Sequence, residues 1–237
     1  MAIIQDDPDP FYLRTTATLS NVGITVCGWM CMHETFDHDG VILCHDDGTF
    51  AIWVTSSGAT NTTHVWPSGS LPNLVNGTWY FVGLRSSTAD DAVAFASAAN
   101  GGTLTFSSAT SVNGATSSLY IFNEASNDMH GDAAIQNLKV WTAALSDAEL
   151  YQEMWSHVPV RKSNLWCWAT LFDASAGNLA DLSGSGHGIS AVGGATLIAN
   201  GPPVGWVQSQ MGIILPAGVT TITGTAAGVL STLTGAA

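Results

Sequence analysis

Hydrophobic residues along this chain alternate with small or polar ones in short runs, and the runs are separated by Gly, Asn and Asp. A period of two is the mark of extended strands with one face turned toward a core. In TVCGWMCM, Cys27, Trp29 and Cys31 fall on one face and Val26, Met30 and Met32 on the other. Both faces are apolar, as expected of a strand in a sheet covered on both sides. VILCHDDGTFAIWV reads as a hairpin turning at Asp47-Gly48, and AVAFAS and TLTFSS as another turning at Asn100-Gly101-Gly102. WYFVGLR places Tyr80, Val82 and Leu84 on one face, and SSLYIFNE, AIQNLKVW and NLWCWATLFD continue the series, the last with Trp166 and Trp168 on one face. Many short strands at this spacing predict an all-β, two-sheet antiparallel sandwich.

One stretch breaks the period. In ALSDAELYQEMW, Ser146 stands as an N-cap with Glu149 three residues on, a capping box. Leu145 and Leu150 occupy the two positions of a hydrophobic staple, and Asp147 adds favourable charge to the first turn. A short helix near 146–157 follows, stopped by Pro159 and suited to cover a sheet edge or one end of the sandwich. Gly201-Pro202-Pro203 punctuates the end of the core, so the sandwich is expected over 1–206 and a C-terminal extension over 207–237. From Leu182 to Ala237 there is no Asp, Glu, Lys or Arg. The extension is too apolar for a solvated linker and too short for a core of its own. It reads as an arm that docks on its own domain or a neighbour, with Ile213, Ile214, Leu215 and Val219 as its partner-binding residues.

Composition narrows the function. The chain has 237 residues, with 5 Lys+Arg against 18 Asp+Glu and a net charge of -13. Nucleic-acid binding needs Lys and Arg to displace counterions, so that class is set aside. Charged residues are 10% of the chain, against about 25% in typical domains. The surface must instead be Ser, Thr, Asn and Gly, or be partly covered by other chains. The first residues, MAIIQDDPDPFYLR, lack the basic and apolar regions of a secretory signal, and no membrane insertion is expected. Synthesis in a host cytoplasm is the expectation that follows. Cys27 and Cys31 lie about 13 Å apart along an extended strand, beyond the roughly 7 Å that a disulfide spans. Cys27, Cys31, Cys44 and Cys167 are therefore expected as free, buried thiols.

At the level of motifs the chain resembles a known family. WYFVGLR, then SSLYIFNEASNDMHGDAAIQNLKVWTAALSDAELYQ, is similar to the closing half of a laminin-G-like, concanavalin A-type jelly-roll domain. The matching positions are Trp79, Gly131, Ile135 to Trp141, and Ala144 to Leu150. DLSGSGHG resembles that family's D-x-S-G-N-G-x-H/R-G turn, with Ser185 in place of Asn, and FYLRTTATLS and TVCGWM resemble its opening strands. The likeness extends over about residues 10 to 206. It implies the jelly-roll fold more strongly than any activity, because its motifs are structural.

Candidate chemistry is sparse. Sandwich-fold glycosidases need two carboxylates facing one cleft, and the E-x-D-x-x-E triplet of laminarinase-like relatives is absent here. Glu149 and Glu153, at i,i+4 on the helix, read as a solvated face, and the chain is expected not to be an enzyme. The densest ligand-like stretch is HETFDHDGVILCHDDG. Its carboxylates, Asp37, Asp39, Asp46 and Asp47, suit Ca²⁺ on a rim loop, as the family resemblance implies. The plainer reading is a polar surface hairpin whose Asp residues serve turns. Of the nine Trp, Trp29, Trp53 and Trp79 read as core, whereas Trp66 in HVWPSG lies in a loop. Trp66, with Asp37 and Asp39, is the candidate glycan-binding set, and His187 reads as a turn-packing residue.

These features lead to the expectation of a non-enzymatic virion surface protein, a bacteriophage capsid decoration or tail-associated protein with weak glycan binding. Its expected partners are its own copies in a homo-oligomer, other virion proteins and host-surface glycans. A carbohydrate-binding, lectin-like module is the alternative, and a diverged glycoside hydrolase the second alternative.

Overall fold

A computed structural model describes residues 2–4, 12–32, 40–45, 50–57, 60–66, 69–109, 112–123, 133–171, 179–192, 196–198, 201–204, 221–226 and 229–234. In chain order the strands begin with β1 (Ala2–Ile4), β2 (Tyr12–Thr15), β3 (Leu19–Ser20), β4 (Ile24–Met32), β5 (Gly40–His45), β6 (Phe50–Ser57), β7 (Thr60–Trp66), β8 (Ser70–Val75) and β9 (Trp79–Ser86). They continue with β10 (Ala92–Ser97), β11 (Leu104–Ala109), β12 (Thr116–Ser117), β13 (Leu119–Ile121) and β14 (Ala133–Trp141). The helix α1 (Asp147–Met154) comes next, then β15 (Leu165–Ala169), β16 (Ile189–Val192), β17 (Thr196–Ile198), β18 (Thr221–Ala226) and β19 (Val229–Thr234). The fold is the expected all-β antiparallel sandwich of jelly-roll type. The first sheet runs β11-β10-β9-β4-β14-β1-β17, with β15 also paired to β14, and the second runs β16-β2-β13-β5-β6-β7-β8.

Alternation decides which side chains meet. Val26, Met30, Val82, Leu84, Ile135 and Val140 of the first sheet share one buried cluster with Leu13, Leu43, Ile52, Val54, Val65 and Ile121 of the second. The opposite face of the first sheet is buried as well. There Cys27, Trp29, Phe81, Phe95 and Trp141 pack with Leu145, Leu150 and Met154. The helix therefore lies on the outer face of the first sheet, not at a sheet edge or an end of the sandwich. The apolar outer residues of β4 and β9 require such a cover, since a fully buried ring or branched side chain contributes about 1.5–3 kcal/mol.

Polar groups fix the helix in place. Ser146 and Glu149 form the capping box, and the Thr25 hydroxyl donates to the Ala143 carbonyl while accepting from the Leu145 N–H, each at 2.9 Å. The indole N–H of Trp29 donates to the Met154 carbonyl at 2.9 Å. Beneath the last turn sits a buried ion pair: Lys139 Nζ lies 2.8 Å from Glu153 Oε2, with side chains 0% and 1% exposed. Lys139 also donates to the backbone carbonyls of Glu153 and Ser156, so it satisfies the carbonyl end of the helix. The other Glu153 oxygen accepts from the N–H groups of Val160 and Arg161, at 2.8 and 2.9 Å. Burial lowers the Lys139 pKa, and the nearby Glu153 carboxylate opposes that shift.

Irregularities in β14 make room for this arrangement. Its pairing with β4 shifts register between Gln136 and Lys139, and Asn137 takes the left-handed conformation at φ 59°. The Asn137 amide donates to the Ser156 carbonyl and its oxygen accepts from the Trp168 indole. A second shift, between Val140 and Trp141, offsets β15. It separates two residues expected on one face: Trp166 joins the cluster between the sheets, whereas Trp168 hydrogen-bonds Asn137 and lies under the Lys162 ammonium.

The chain divides into two compact units, Met1–Val204 and Gly205–Ala237. In the second, β18 and β19 pair antiparallel from Thr221↔Thr234 to Ala226↔Val229 without a register shift. The Thr-, Ile- and Val-rich sequence accounts for strands in a segment expected only as an arm.

Lys139→Met is expected to destabilise the protein by about 3–5 kcal/mol in urea unfolding, because it leaves the Glu153 carboxylate buried without its cation. A loss below about 1 kcal/mol, the value of a surface pair, would show that the helix does not depend on this ion pair.

Candidate functional site

The second sheet has no helix over it among the described residues, and its outer face is half open. Cross-strand register sets the order of side chains there. Arg14 pairs with Tyr120, Tyr120 with Cys44 and Cys44 with Ala51. Farther along, Val41 pairs with Trp53 and Trp53 with His64. Val41, Cys44 and Ala51 are buried and form a small-residue floor, against which the half-buried rings of Trp53 and Tyr120 pack. Those rings stand on strands two positions apart, a spacing of roughly 10 Å.

Each ring is held by a neighbour. The His64 imidazole stacks on the Trp53 indole with centroids 4.4 Å apart and planes at 23°. His64 Nε2 in turn hydrogen-bonds the Thr55 hydroxyl at 3.2 Å. Tyr120 meets the Tyr12 ring at 6.1 Å. Arg14 is exposed beside Tyr120, and Thr55 and Thr62 add half-buried hydroxyls. The result is a row of fixed aromatic faces bordered by hydrogen-bonding groups, a surface suited to ring-shaped polar ligands.

Trp53 was expected in the core, but it lies outside the space between the sheets. Its neighbours Ile52 and Val54 point inward, so strict alternation turns Trp53 outward. That signal was present in FAIWV. Tyr120 and His64 follow by the same rule, from Leu119 and Ile121 and from Val65. Trp66 falls on β7, where its backbone pairs with Ala51; its side chain lies outside the described residues, as do Asp37, Asp39, Asp46, Asp47, Ile213, Ile214, Leu215 and Val219. β5 separates two of these groups. In the sequence Asp37 and Asp39 precede Gly40, the start of β5, and Asp46 and Asp47 follow His45, its end. His45 itself is buried and donates to the Leu19 carbonyl at 2.8 Å.

Strand ends show where the negative charge enters. Ile4 pairs with Ala134 and Met32 with Ala133, and Ile121 pairs with both Leu13 and Leu43. The connections 5–11, 33–39 and 124–132 thus link the two sheets at one end of the sandwich. They contain Asp6, Asp7, Asp9, Glu34, Asp37, Asp39, Glu124, Asp128 and Asp132. Among the described residues, no group of three or more His, Cys, Asp or Glu is placed to hold a metal ion.

The described carboxylates are mostly tied to structural partners. Asp147 pairs with Arg85 at 2.6 Å, Glu149 with Arg161 at 3.0 Å, and Glu153 with Lys139. Asp91 accepts from the Ser87 hydroxyl. Asp181 accepts from the N–H groups of Trp168, Ser183 and His187, and from the Ser183 hydroxyl. Burial alone would raise the Asp181 pKa, but these hydrogen bonds outweigh it and hold the carboxyl below its ordinary value. The turn they shape lays His187 flat on Trp166, with centroids 4.3 Å apart and planes at 5°, so His187 packs the turn. The thiols are equally quiet. Burial pushes Cys31 up to about 11 and raises Cys27 and Cys167 further, so none of these is a thiolate near neutral pH. All four cysteines are buried, and no disulfide joins them.

No known sequence family matches the chain, and no curated protein does. Solved structures do. The chain is similar to a Bacteroides ovatus protein proposed to bind carbohydrate, with a TM-score of 0.60 at 12% identity over 86% of this chain. It spans 61% of that protein's length. It is also similar to the enzymatically active domain of tailspike protein 2 from bacteriophage CBA120, with a TM-score of 0.52 at 14% identity. That match covers 68% of this chain and 28% of the tailspike chain. At such identities the likeness is one of fold, the β-sandwich.

The Asp181 turn gives a pH test. A carboxyl whose folded pKa is depressed adds stability above its unfolded value, near 3.8, and that stability is lost as pH falls through the folded pKa. Asp181→Asn is expected to cost about 1–2 kcal/mol at neutral pH and to lose less than the parent on acidification in urea unfolding series. Parallel acid profiles for the two proteins would contradict this role.

Proposed function

We propose that this chain is a non-catalytic, carbohydrate-binding sandwich of the laminin-G-like type, carried on the surface of a virus particle as a bacteriophage tail-associated or capsid-decoration protein. The observation that carries the reading is the outer face of the second sheet, where Trp53 and Tyr120 present fixed rings between hydroxyl and imidazole groups. Pyranose rings stack their C–H faces on such aromatics while their hydroxyls reach the polar border. The similarity in fold to a protein proposed to bind carbohydrate and to a phage tailspike domain supports both halves of the proposal. The engagement of most described carboxylates in ion pairs and turns favours binding over hydrolysis.

The remaining partners fit the same picture. Copies of the chain and other virion proteins are the proposed contacts of the C-terminal unit. No described helix is long and apolar enough to cross a membrane, and 5 Lys+Arg against 18 Asp+Glu disfavour nucleic acid. If the chain takes an ion, Ca²⁺ is the one proposed, with Asp37, Asp39, Asp46 and Asp47 as its candidate ligands, since hard carboxylate oxygens suit it. In thermal melts, Ca²⁺ is expected to raise the midpoint and a chelator to reverse the rise; an unchanged midpoint removes the ion from the account.

Glycan-array screening followed by titration calorimetry tests the main proposal. Trp53→Ala is expected to weaken the best array ligand at least about tenfold, equivalent to 1.4 kcal/mol, with the melting midpoint close to that of the parent. Release of reducing ends from that ligand, or full affinity in the Trp53→Ala variant, would contradict it.

A further inference from the structure

A second pair of aromatic rings lies on the other side of the sandwich. Trp155, the residue that ends α1, has its side chain half exposed, at 50%. Tyr151, one turn earlier on the same helical face, is 37% exposed. Both rings are fixed from below by the β10–β11 hairpin. The Trp155 indole rests on Gly101, where an added Cβ would sit 2.4 Å from Cη2 and 2.8 Å from Cζ2. Gly101 also holds φ at 95°, so two constraints reserve the position for glycine. The indole meets the buried Trp29 at 6.1 Å and 58°. The Tyr151 hydroxyl accepts from the Leu104 N–H at 2.9 Å.

An exposed tryptophan normally samples several rotamers, and a ligand must order it. Here that ordering is already done by packing, which is the condition for a preorganised binding surface. The size of the surface identifies its occupant. Aromatic side chains offer about 150–250 Å² each, so rings exposed at 37% and 50% together present roughly 200 Å². A stable protein partner needs about 800 Å² on each side. Asn100 and Thr103 of the hairpin turn and Gln152 of the helix are exposed and polar, and the exposed apolar residues of that turn, Ala98 and Ala99, are small. Charge narrows the ligand further. Arg85 and Arg161, which face the helix, are engaged by Asp147 and Glu149, leaving neither for an anionic group.

We propose that Trp155 and Tyr151 form a second carbohydrate subsite, for a pyranose ring of a neutral glycan, on the face of the sandwich opposite the Trp53–Tyr120 row. The site is separate from that row, but its ligand class rests on the reading that the chain binds carbohydrate. Two sites on opposite faces would let one protein bridge two glycan chains and gain avidity without further contacts.

Indole N–H resonances of the ¹⁵N-labelled full chain provide the test. The Trp53 and Trp155 signals are assigned by their loss in Trp53→Phe and Trp155→Phe, and persistence of the other indole signals shows that each variant is folded. The probes are maltohexaose, cellohexaose, laminarihexaose and mannohexaose at millimolar concentration. The expected result is that at least one of them shifts the Trp155 signal in the parent and in Trp53→Phe, and that Trp155→Phe weakens this binding about tenfold. If a probe shifts Trp53 and leaves Trp155 unmoved, the second subsite is wrong and the first stands. If no probe moves either signal, both fall.

Discussion

The Lys139–Glu153 ion pair is the constraint on which the rest of this structure turns. An ammonium and a carboxylate with almost no solvent access are tolerated only when paired and fully hydrogen-bonded. Here the remaining donors and acceptors are the carbonyl end of α1 and the N–H groups of Val160 and Arg161. The pair therefore does more than join two side chains. It ties β14, the helix and the segment that follows into one unit. The register shift at Asn137 belongs to the same device, because that residue bonds the Ser156 carbonyl and the Trp168 indole together.

This clip makes the two sheets unequal. The first is buried on both faces and serves as scaffold. The second is buried on its inner face, and among the described residues its outer face carries the half-buried rings of Trp53 and Tyr120 over a buried floor. Small residues at Val41, Cys44 and Ala51 keep that face shallow, while Trp53 and Tyr120 give it relief. Nine of the 18 acidic residues belong in sequence to the connections 5–11, 33–39 and 124–132. Among its described residues the outer face of the second sheet carries aromatic rings, hydroxyls and the exposed Arg14, the features on which the carbohydrate proposal rests.

Much of the fold is legible in the sequence because strands and caps are local. The alternation in TVCGWMCM, the Asn100-Gly101-Gly102 turn and the Ser146–Glu149 box correspond to β4, the β10–β11 hairpin and α1. What alternation leaves open is which of two apolar faces meets the other sheet. For that reason Trp53 reads as core although it lies outside, and α1 reads as an edge cover although it closes a sheet face. The bulges at Asn137 and Trp141 depend on long-range pairing and leave no local mark, so Trp166 and Trp168 part unexpectedly. A lysine within QNLKVW likewise gives no sign that its partner stands on a helix after the next turn. Of the candidate site, the aromatic character was legible. Its location was not, since Trp66 attracted attention as a loop residue while the described rings come from strand interiors.

The account stands or falls on where a sugar sits. The direct measurement is a crystal structure of the full chain with its best-binding oligosaccharide. The account predicts pyranose rings laid against Trp53 and Tyr120, intact, with hydroxyls directed to His64 and the threonines. An oligosaccharide held instead between two facing carboxylates, or an outer face of the second sheet sealed by other protein, would contradict it.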